Sequence, residues 1–383
     1  MVEAKKSPLK SIGIYHPYFL GGGAETVALW ILEALKDQYD ITLFTSSDLN
    51  WEKLNLMYGT SLDKDAIKVR SLFPGIFLKP ANFLLANLKQ FKQFATHQTL
   101  AELKKYNQDY DLVFSTYNGA DLGKPGIQYI HWIQVIEGSK PDKNYYNRLS
   151  NFSLDNLKKN HSLANSRVVA DCVKQTYGIN SSVIYPPVVI QSFEIPWLSK
   201  ENAFVCSGRL VEAKQPHRVI KILKAVRERG ADVKLYITGG GGGSYQNKYK
   251  RFLDKIVAEN SDWVKVLENL PYTDYCQLLY RCKYGIHFKQ EPFGISVAEM
   301  VKAGMIVLGR AQGGQVEIIG AHNQELLFNN DVEAIEKIVR VLSDETKQQQ
   351  LLQSLETQKH LFSTQKFIRE IQEVVAEYFQ GKL

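Results

Sequence analysis

At 383 residues the chain exceeds one ordinary core and suits two α/β domains, and its 44% hydrophobic and 23% charged residues exclude a disordered protein. No run reaches the roughly 18 apolar residues of a membrane span, and the lysine-bearing start, Met1 to Leu9, lacks the apolar stretch of a signal peptide. The net charge of +7 suits polyanionic partners: diphosphates, acidic lipid head groups or nucleic acid.

Short β-branched runs alternate with longer amphipathic ones. The first strand, Ile12–Tyr15, runs into Gly21-Gly22-Gly23-Ala24-Glu25 and then a helix from Thr26 to Leu35. Residues without side chains let backbone approach a ligand closely, and the helix offers its N-terminus to a phosphate. The run is not G-x-G-x-x-G, so a dinucleotide site is disfavoured, and a plain strand–helix connector is the alternative. Strands follow at Ile41–Phe44, Leu112–Ser115, Ile127–His131, Leu163–Asn165 and Val183–Tyr185. Between them, residues 73–105 interleave Phe77, Phe83, Leu84, Leu85, Leu88 and Phe91 with Lys79, Lys89 and Lys92. On one helix Leu84, Leu88, Phe91 and Ala95 share a stripe, which either packs on the sheet or lies on an anionic membrane. His131 closes its strand, where a side chain can face a crevice, although a lone histidine is more often structural.

Three prolines break the rhythm from Tyr185-Pro186-Pro187-Val188 to Pro196, which reads as the interdomain linker. It separates a first domain, 1–190, from a second, 191–362. The second set of strands is Phe204–Ser207, Lys234–Thr238, Val264–Leu267, Tyr284–Phe288 and Ile306–Gly309, with a helix over Val219–Arg229. Strand–helix alternation predicts parallel, doubly wound sheets, whose ligands sit at the carboxyl ends of the strands.

The second domain carries three chemical signals. After its first strand, Ser207-Gly208-Arg209-Leu210-Val211-Glu212-Ala213-Lys214 brings a guanidinium fork and an ammonium point charge that suit a diphosphate, or are plain surface charges. Gly239 to Gly243, after the next strand, reads as backbone open to a nucleoside or as a surface turn. Glu291-Pro292-Phe293-Gly294-Ile295-Ser296-Val297-Ala298-Glu299 is the strongest. Its turn opens a helix, Ile295 to Ala303, whose free N–H groups suit a diphosphate, while the two carboxylates accept from sugar hydroxyls. Charges favoured by the helix dipole are the plainer reading of both glutamates. Cys172, Cys206, Cys276 and Cys282 form no CxxC and the eight histidines are scattered, so neither disulfides nor a zinc site are expected and a reducing cytoplasm fits.

Glutamates at this spacing around a Pro-Phe-Gly turn resemble the E-x7-E motif of retaining GT-B glycosyltransferases of the family four type. Ala303-Gly304, Ile306-Val307-Leu308 and Gly313-Gly314-Gln315-Val316-Glu317-Ile318-Ile319 continue the pattern. The resemblance covers nearly the whole chain, densest over 203–320 and thinnest over 45–125, where such enzymes differ in acceptor choice. It implies a GT-B fold of two Rossmann-like domains facing each other across a deep interdomain cleft, with the C-terminal helix, 363–383, packing back on the first domain. Glu291 would contact the donor sugar, Glu299 the ribose, and the amides of Phe293, Gly294 and Ile295 the sugar and phosphates. Arg209 and Lys214 would hold the leaving diphosphate, although Gln215-Pro216 stands where the family often has glycine. Gly22, Gly23 and Gly239 would border the donor, and His131 the reacting sugar.

The activity so implied is sugar transfer from a nucleoside diphosphate sugar, UDP favoured over GDP, to a glycan, glycolipid or small-molecule acceptor. The acceptor would attack from the leaving-group face, with no metal and no cofactor. The protein is expected to be cytoplasmic, with peripheral contact at the inner face of the membrane if residues 73–105 dock there. The competing readings are a nucleotide-sugar 2-epimerase on the same fold and a non-catalytic polyanion-binding protein; a nucleic-acid partner is disfavoured because no repeated aromatic–basic motif occurs.

Overall fold

A computed structural model describes residues 9–73, 75–134, 145–240 and 247–383. The chain divides into two units, Met1–Pro187 with Thr364–Leu383, and Val188–Ser363.

Among the described residues the first unit holds a seven-stranded parallel sheet. Its strands are β1 (Ser11–Tyr15), β2 (Asp40–Thr45), β3 (Ile67–Ser71), β4 (Leu112–Ser115), β5 (Ile127–Ile130), β6 (His161–Ala164) and β7 (Ser181–Val183), in the order β3-β2-β1-β4-β5-β6-β7. Central strands such as β4 and β5 are buried along their whole length, as covering a parallel sheet on both faces requires. β3, not predicted from the sequence, is an edge strand whose Lys68 and Arg70 interrupt the apolar run. The strand order reverses between β1 and β4, so this sheet's crevice lies where Tyr15 and Ser115 end them. The final helix, Thr364–Phe379, buries Phe367, Ile371 and Val375, and Gln372 Nε2 donates to the Ala34 carbonyl at 2.8 Å.

Residues 73–105 do not form one helical stripe. Helices run over Leu78–Asn87 and Lys89–Tyr106, and Leu88 between them is extended (φ −117°, ψ 110°). Ala95 is buried, whereas Leu88 is 48% exposed, so the predicted continuity of Leu84, Leu88, Phe91 and Ala95 is lost at the break.

The second unit holds a six-stranded parallel sheet among its described residues. The strands are β8 (Glu201–Ser207), β9 (Lys234–Gly239), β10 (Val264–Glu268), β11 (Cys282–His287), β12 (Ile306–Arg310) and β13 (Leu327–Phe328), in the order β10-β9-β8-β11-β12-β13. The reversal falls between β8 and β11, which end at Ser207 and His287. The proline segment read as a linker is largely part of this unit. Val188 N donates to Phe362 O at 3.0 Å, Tyr272 Oη donates to Val189 O at 2.6 Å, and Val188 is buried. β7 ends at Val183 because Pro186 and Pro187 have no N–H with which to extend a ladder.

Candidate functional site

The crevice of the second sheet is built from the loop after β8. Gly208 N donates to Thr238 O at 3.0 Å and Leu210 N to Gly240 O at 3.2 Å, which lays this loop across the end of β9. The crossing is so close that a Cβ on Gly239 would fall 1.9 Å from the Gly208 carbonyl oxygen. Gly239 therefore leaves room for a neighbouring loop. Gly241 to Gly243, at the far end of that run, lie outside the described residues. Arg209 is exposed, with no ion pair among the described residues. The Lys214 stem runs past Gly208, its Cδ 3.7 Å from where a Cβ would stand.

The Lys214 ammonium ends on Glu291 Oε1, and His287 Nε2 donates to the same oxygen at 3.1 Å. Burial works against the charge on Glu291. The hydrogen bond from His287 and the Lys214 cation more than offset it and hold the carboxyl at about 2, well below the ordinary 4.5. The turn around it is clasped from the next crossover. Gln315 Oε1 accepts from Glu291 N at 3.0 Å, Gln315 Nε2 donates to Lys289 O at 3.0 Å, and Gly314 N donates to Glu291 O at 2.8 Å. A Cβ on Gly314 would lie 2.4 Å from Pro292 O and 2.5 Å from Phe293 Cα, so the Gly313-Gly314 pair is where the two loops touch.

Phe293 is buried and Gly294, at φ +109°, caps the helix Ile295–Lys302. The cap has no side chain to satisfy the first amides; Val297 N donates to Gly294 O at 2.9 Å, which leaves the N–H groups of Ile295 and Ser296 for a ligand. Glu299 lies on this helix, and its Oε2 accepts from Tyr275 Oη at 2.8 Å. Tyr275 is in turn 3.0 Å from Ser207 Oγ at the end of β8. Burial, only partly offset by the Tyr275 hydrogen bond, raises the Glu299 carboxyl to about 7. One glutamate is thus firmly ionised and the other is poised near neutrality.

The second unit thereby gathers Arg209, Lys214, Gly239, Glu291, Phe293, Gly294, Ile295 and Glu299 around the ends of β8, β9 and β11. His287, Tyr275 and Gln315 complete it and were not anticipated. His287 stands four residues before Glu291 and was readable in principle as an approach to the turn. Tyr275 sits on the helix Tyr272–Arg281, with nothing local to distinguish it. Among the described residues no group of three or more His, Cys, Asp or Glu gathers to hold a metal ion.

Gly22, Gly23 and His131 belong to the first unit. Among the described residues nothing lies within 4 Å of where a Cβ on Gly22 would stand, and Gly23 begins the helix Gly23–Leu35. Glu25 folds back on this loop. Its Oε1 accepts from Leu20 N at 2.5 Å and its Oε2 from Gly21 N at 2.7 Å, so the loop's own carboxylate occupies those amides. His131 is buried and donates from Nε2 to Thr116 O at 2.9 Å, and burial lowers its pKa to about 4. It is therefore a neutral ring at pH 7, with Nδ1 as its acceptor. His16 lies nearby, bonded through Nδ1 to Thr116 Oγ1 at 3.0 Å.

Residues 190–357 match the family model described as "Glycosyl transferases group 1". A human GDP-Man:Man(3)GlcNAc(2)-PP-Dol alpha-1,2-mannosyltransferase is 26% identical over 207 residues, 49% of this chain and 42% of that protein. The chain thus aligns with less than half the length of that curated relative. Anabaena Alr3699/HepE, solved in complex with UDP and glucose, superposes with a TM-score of 0.69 at 17% identity, over 96% of this chain and 100% of that one. WaaG, a glycosyltransferase involved in lipopolysaccharide biosynthesis, does so with a TM-score of 0.64 at 14% identity, over 96% and 99%. The fold is GT-B: two Rossmann-like units, each built on a parallel sheet.

Proposed function

We propose that this chain, a GT-B protein whose second unit matches the group 1 glycosyl transferases, transfers a sugar from a nucleoside diphosphate sugar with retention and without a metal. The observation that carries the reading is the joining of Glu291, Lys214 and His287 on one carboxylate oxygen beside an uncapped helix N-terminus. Breaking the sugar–diphosphate bond leaves oxocarbenium character on the sugar and grows negative charge on the leaving group. Arg209, Lys214 and the helix amides supply a prearranged positive field for that charge. Lys214 has three N–H donors, so it serves Glu291 and a phosphate together. Glu291, fixed by His287, accepts from the sugar's hydroxyls and orients the sugar rather than attacking it. Glu299 accepts from the ribose hydroxyls, and the acceptor's proton passes to the departing phosphate.

UDP is the favoured leaving group, with the UDP complex of the Anabaena structure in support. The curated relative's name instead carries GDP-mannose, so guanine is the other candidate. That relative acts on a dolichol-linked glycan, by its name, and this favours a glycan or glycolipid acceptor here. Loss of the Arg209 charge tests the reading. Arg209→Ala should slow turnover and weaken nucleoside diphosphate binding by about 1.5–3 kcal/mol, as for a charge-assisted contact, with the unfolding midpoint unchanged because the side chain is exposed. Unaltered kinetics would remove Arg209 from the site.

No helix of the described residues is long and apolar enough to cross a membrane. Peripheral contact is supported by Phe77 and Phe83, exposed at 56% and 70%, on either side of Lys79, with exposed Leu88 and Lys89 beyond. Cosedimentation with anionic vesicles should fall severalfold in Phe83→Asp. Equal pelleting of parent and variant would remove Phe83 from any membrane contact.

A further inference from the structure

The amino-terminal edge of the second sheet, opposite the end that carries Glu291, holds a recess of about 520 Å3. Lys200 enters it just ahead of β8, Tyr280 ahead of β11, and Lys302 with Ala303 and Gly304 ahead of β12. Phe193 and Trp197, from the segment that opens this unit, form an aromatic wall with Tyr280, and Phe193 meets Tyr280 edge-on at 5.8 Å. Lys359 closes the lining.

Three ammonium groups therefore share one small space. Lys200 is 8% exposed and donates to Ala303 O at 2.8 Å and Gly304 O at 3.4 Å. Lys302 donates to Val188 O at 2.5 Å. Among the described residues neither of these two has a carboxylate partner, and Lys359 pairs only with Glu356, which is 67% exposed. Glu194, the one carboxylate of the described lining, is exposed and forms no ion pair among the described residues. Burial lowers the pKa of both Lys200 and Lys302, and the Lys359 charge adds to it. Carbonyl dipoles solvate an ammonium only in part, and uncompensated charge near a partly dry surface is relieved by a counter-ion. Each ammonium has three donors, so Lys302 and Lys359 keep N–H groups to spend on one.

We infer that this recess is a second anion site, which binds a phosphate-bearing small molecule with an apolar ring face. Lys302 and Lys359 bond the phosphate, Lys200 adds charge from behind, and the Phe193, Trp197 and Tyr280 rings cover the flat part of the ligand. The inference is independent of sugar transfer, since no residue of the Glu291 cluster takes part.

Phenyl phosphate is a suitable probe, with inorganic phosphate as the ringless comparison, titrated calorimetrically into full-length Arg209→Ala so that donor-side binding is weakened. Phenyl phosphate should bind at least several times more tightly than inorganic phosphate. Adding Lys302→Gln and Lys359→Gln should weaken it tenfold or more, while Lys302→Arg retains it. Lys359→Gln alone, at a half-buried position on the rim of the recess, should weaken it severalfold even if the double change impairs folding. Equal affinity with and without Lys359→Gln, or no phenyl phosphate binding in the Arg209→Ala chain, would overturn the assignment. Success or failure here leaves nucleoside diphosphate binding at the other end of the sheet to its own test.

Discussion

Glu291→Gln should cut turnover roughly ten- to a hundredfold while leaving free nucleoside diphosphate binding nearly intact, as the loss of a charge-assisted contact to the transferred sugar alone predicts. Glu299→Gln should weaken both, because donor and product share the ribose. An amide oxygen accepts more weakly than a carboxylate, and its NH2 presents a donor where the sugar offers one too. The same substitution has a stability consequence. Glu291 titrates at about 2 in the folded chain, against an ordinary 4.5. A depressed carboxylate contributes stability that is complete above the unfolded value and is lost as pH falls from about 4.5 towards 2. The shift corresponds to about 3 kcal/mol at neutral pH. Glu291→Gln also leaves the half-buried Lys214 without its counter-ion. Urea unfolding should therefore find the variant less stable at pH 7, with the gap narrowing steadily below pH 4.5. A gap that stayed constant from pH 7 to pH 3 would mean that the pair does not hold Glu291 ionised.

Gly239→Ala should destabilise the second unit by about 3 kcal/mol and lower its melting temperature by roughly 5–10 °C. The added methyl would meet backbone, the Gly208 oxygen at 1.9 Å and carbon at 2.7 Å, and no rotamer change relieves it. The next residue is the internal control. Among the described residues a Cβ on Gly240 meets only Asn269 Oδ1 at 3.4 Å, so Gly240→Ala should cost a few tenths of a kcal/mol. Because the displaced loop carries Arg209 and Lys214, Gly239→Ala should also lose diphosphate affinity. Equal melting temperatures for the two variants would show that the Gly208 loop does not cross where the structure has it.

Strand and helix alternation was legible because each element is short, apolar and bounded by turns, and the Glu291 turn was legible because its chemistry is contiguous in the chain. What escaped depended on distance in sequence. Lys214 reads as a diphosphate ligand or a surface charge, and its partner Glu291, 77 residues on across the β8–β11 reversal, is not announced by local sequence. Tyr275 reaches Glu299 for the same topological reason. At Gly239 a missing side chain does not say what fills the space beside it, and the Gly208 loop fills the Cβ direction. The amphipathic stripe of residues 73–105 failed at Leu88, where an extended residue, unmarked by proline or glycine, resets the helical phase. The proline segment reads as an interdomain linker, and the two units divide inside it, between Pro187 and Val188; that Val188 and Val189 are tied to Phe362, Lys302 and Tyr272 is something composition does not announce.

The most direct measurement is calorimetric titration of UDP and GDP into the full chain in excess chelator, with Glu299→Gln alongside. Saturable one-site binding of one of the two is expected, undiminished by chelator and weakened tenfold or more in Glu299→Gln. Absence of binding by both nucleotides, or binding that Glu299→Gln leaves unchanged, would contradict the proposed function.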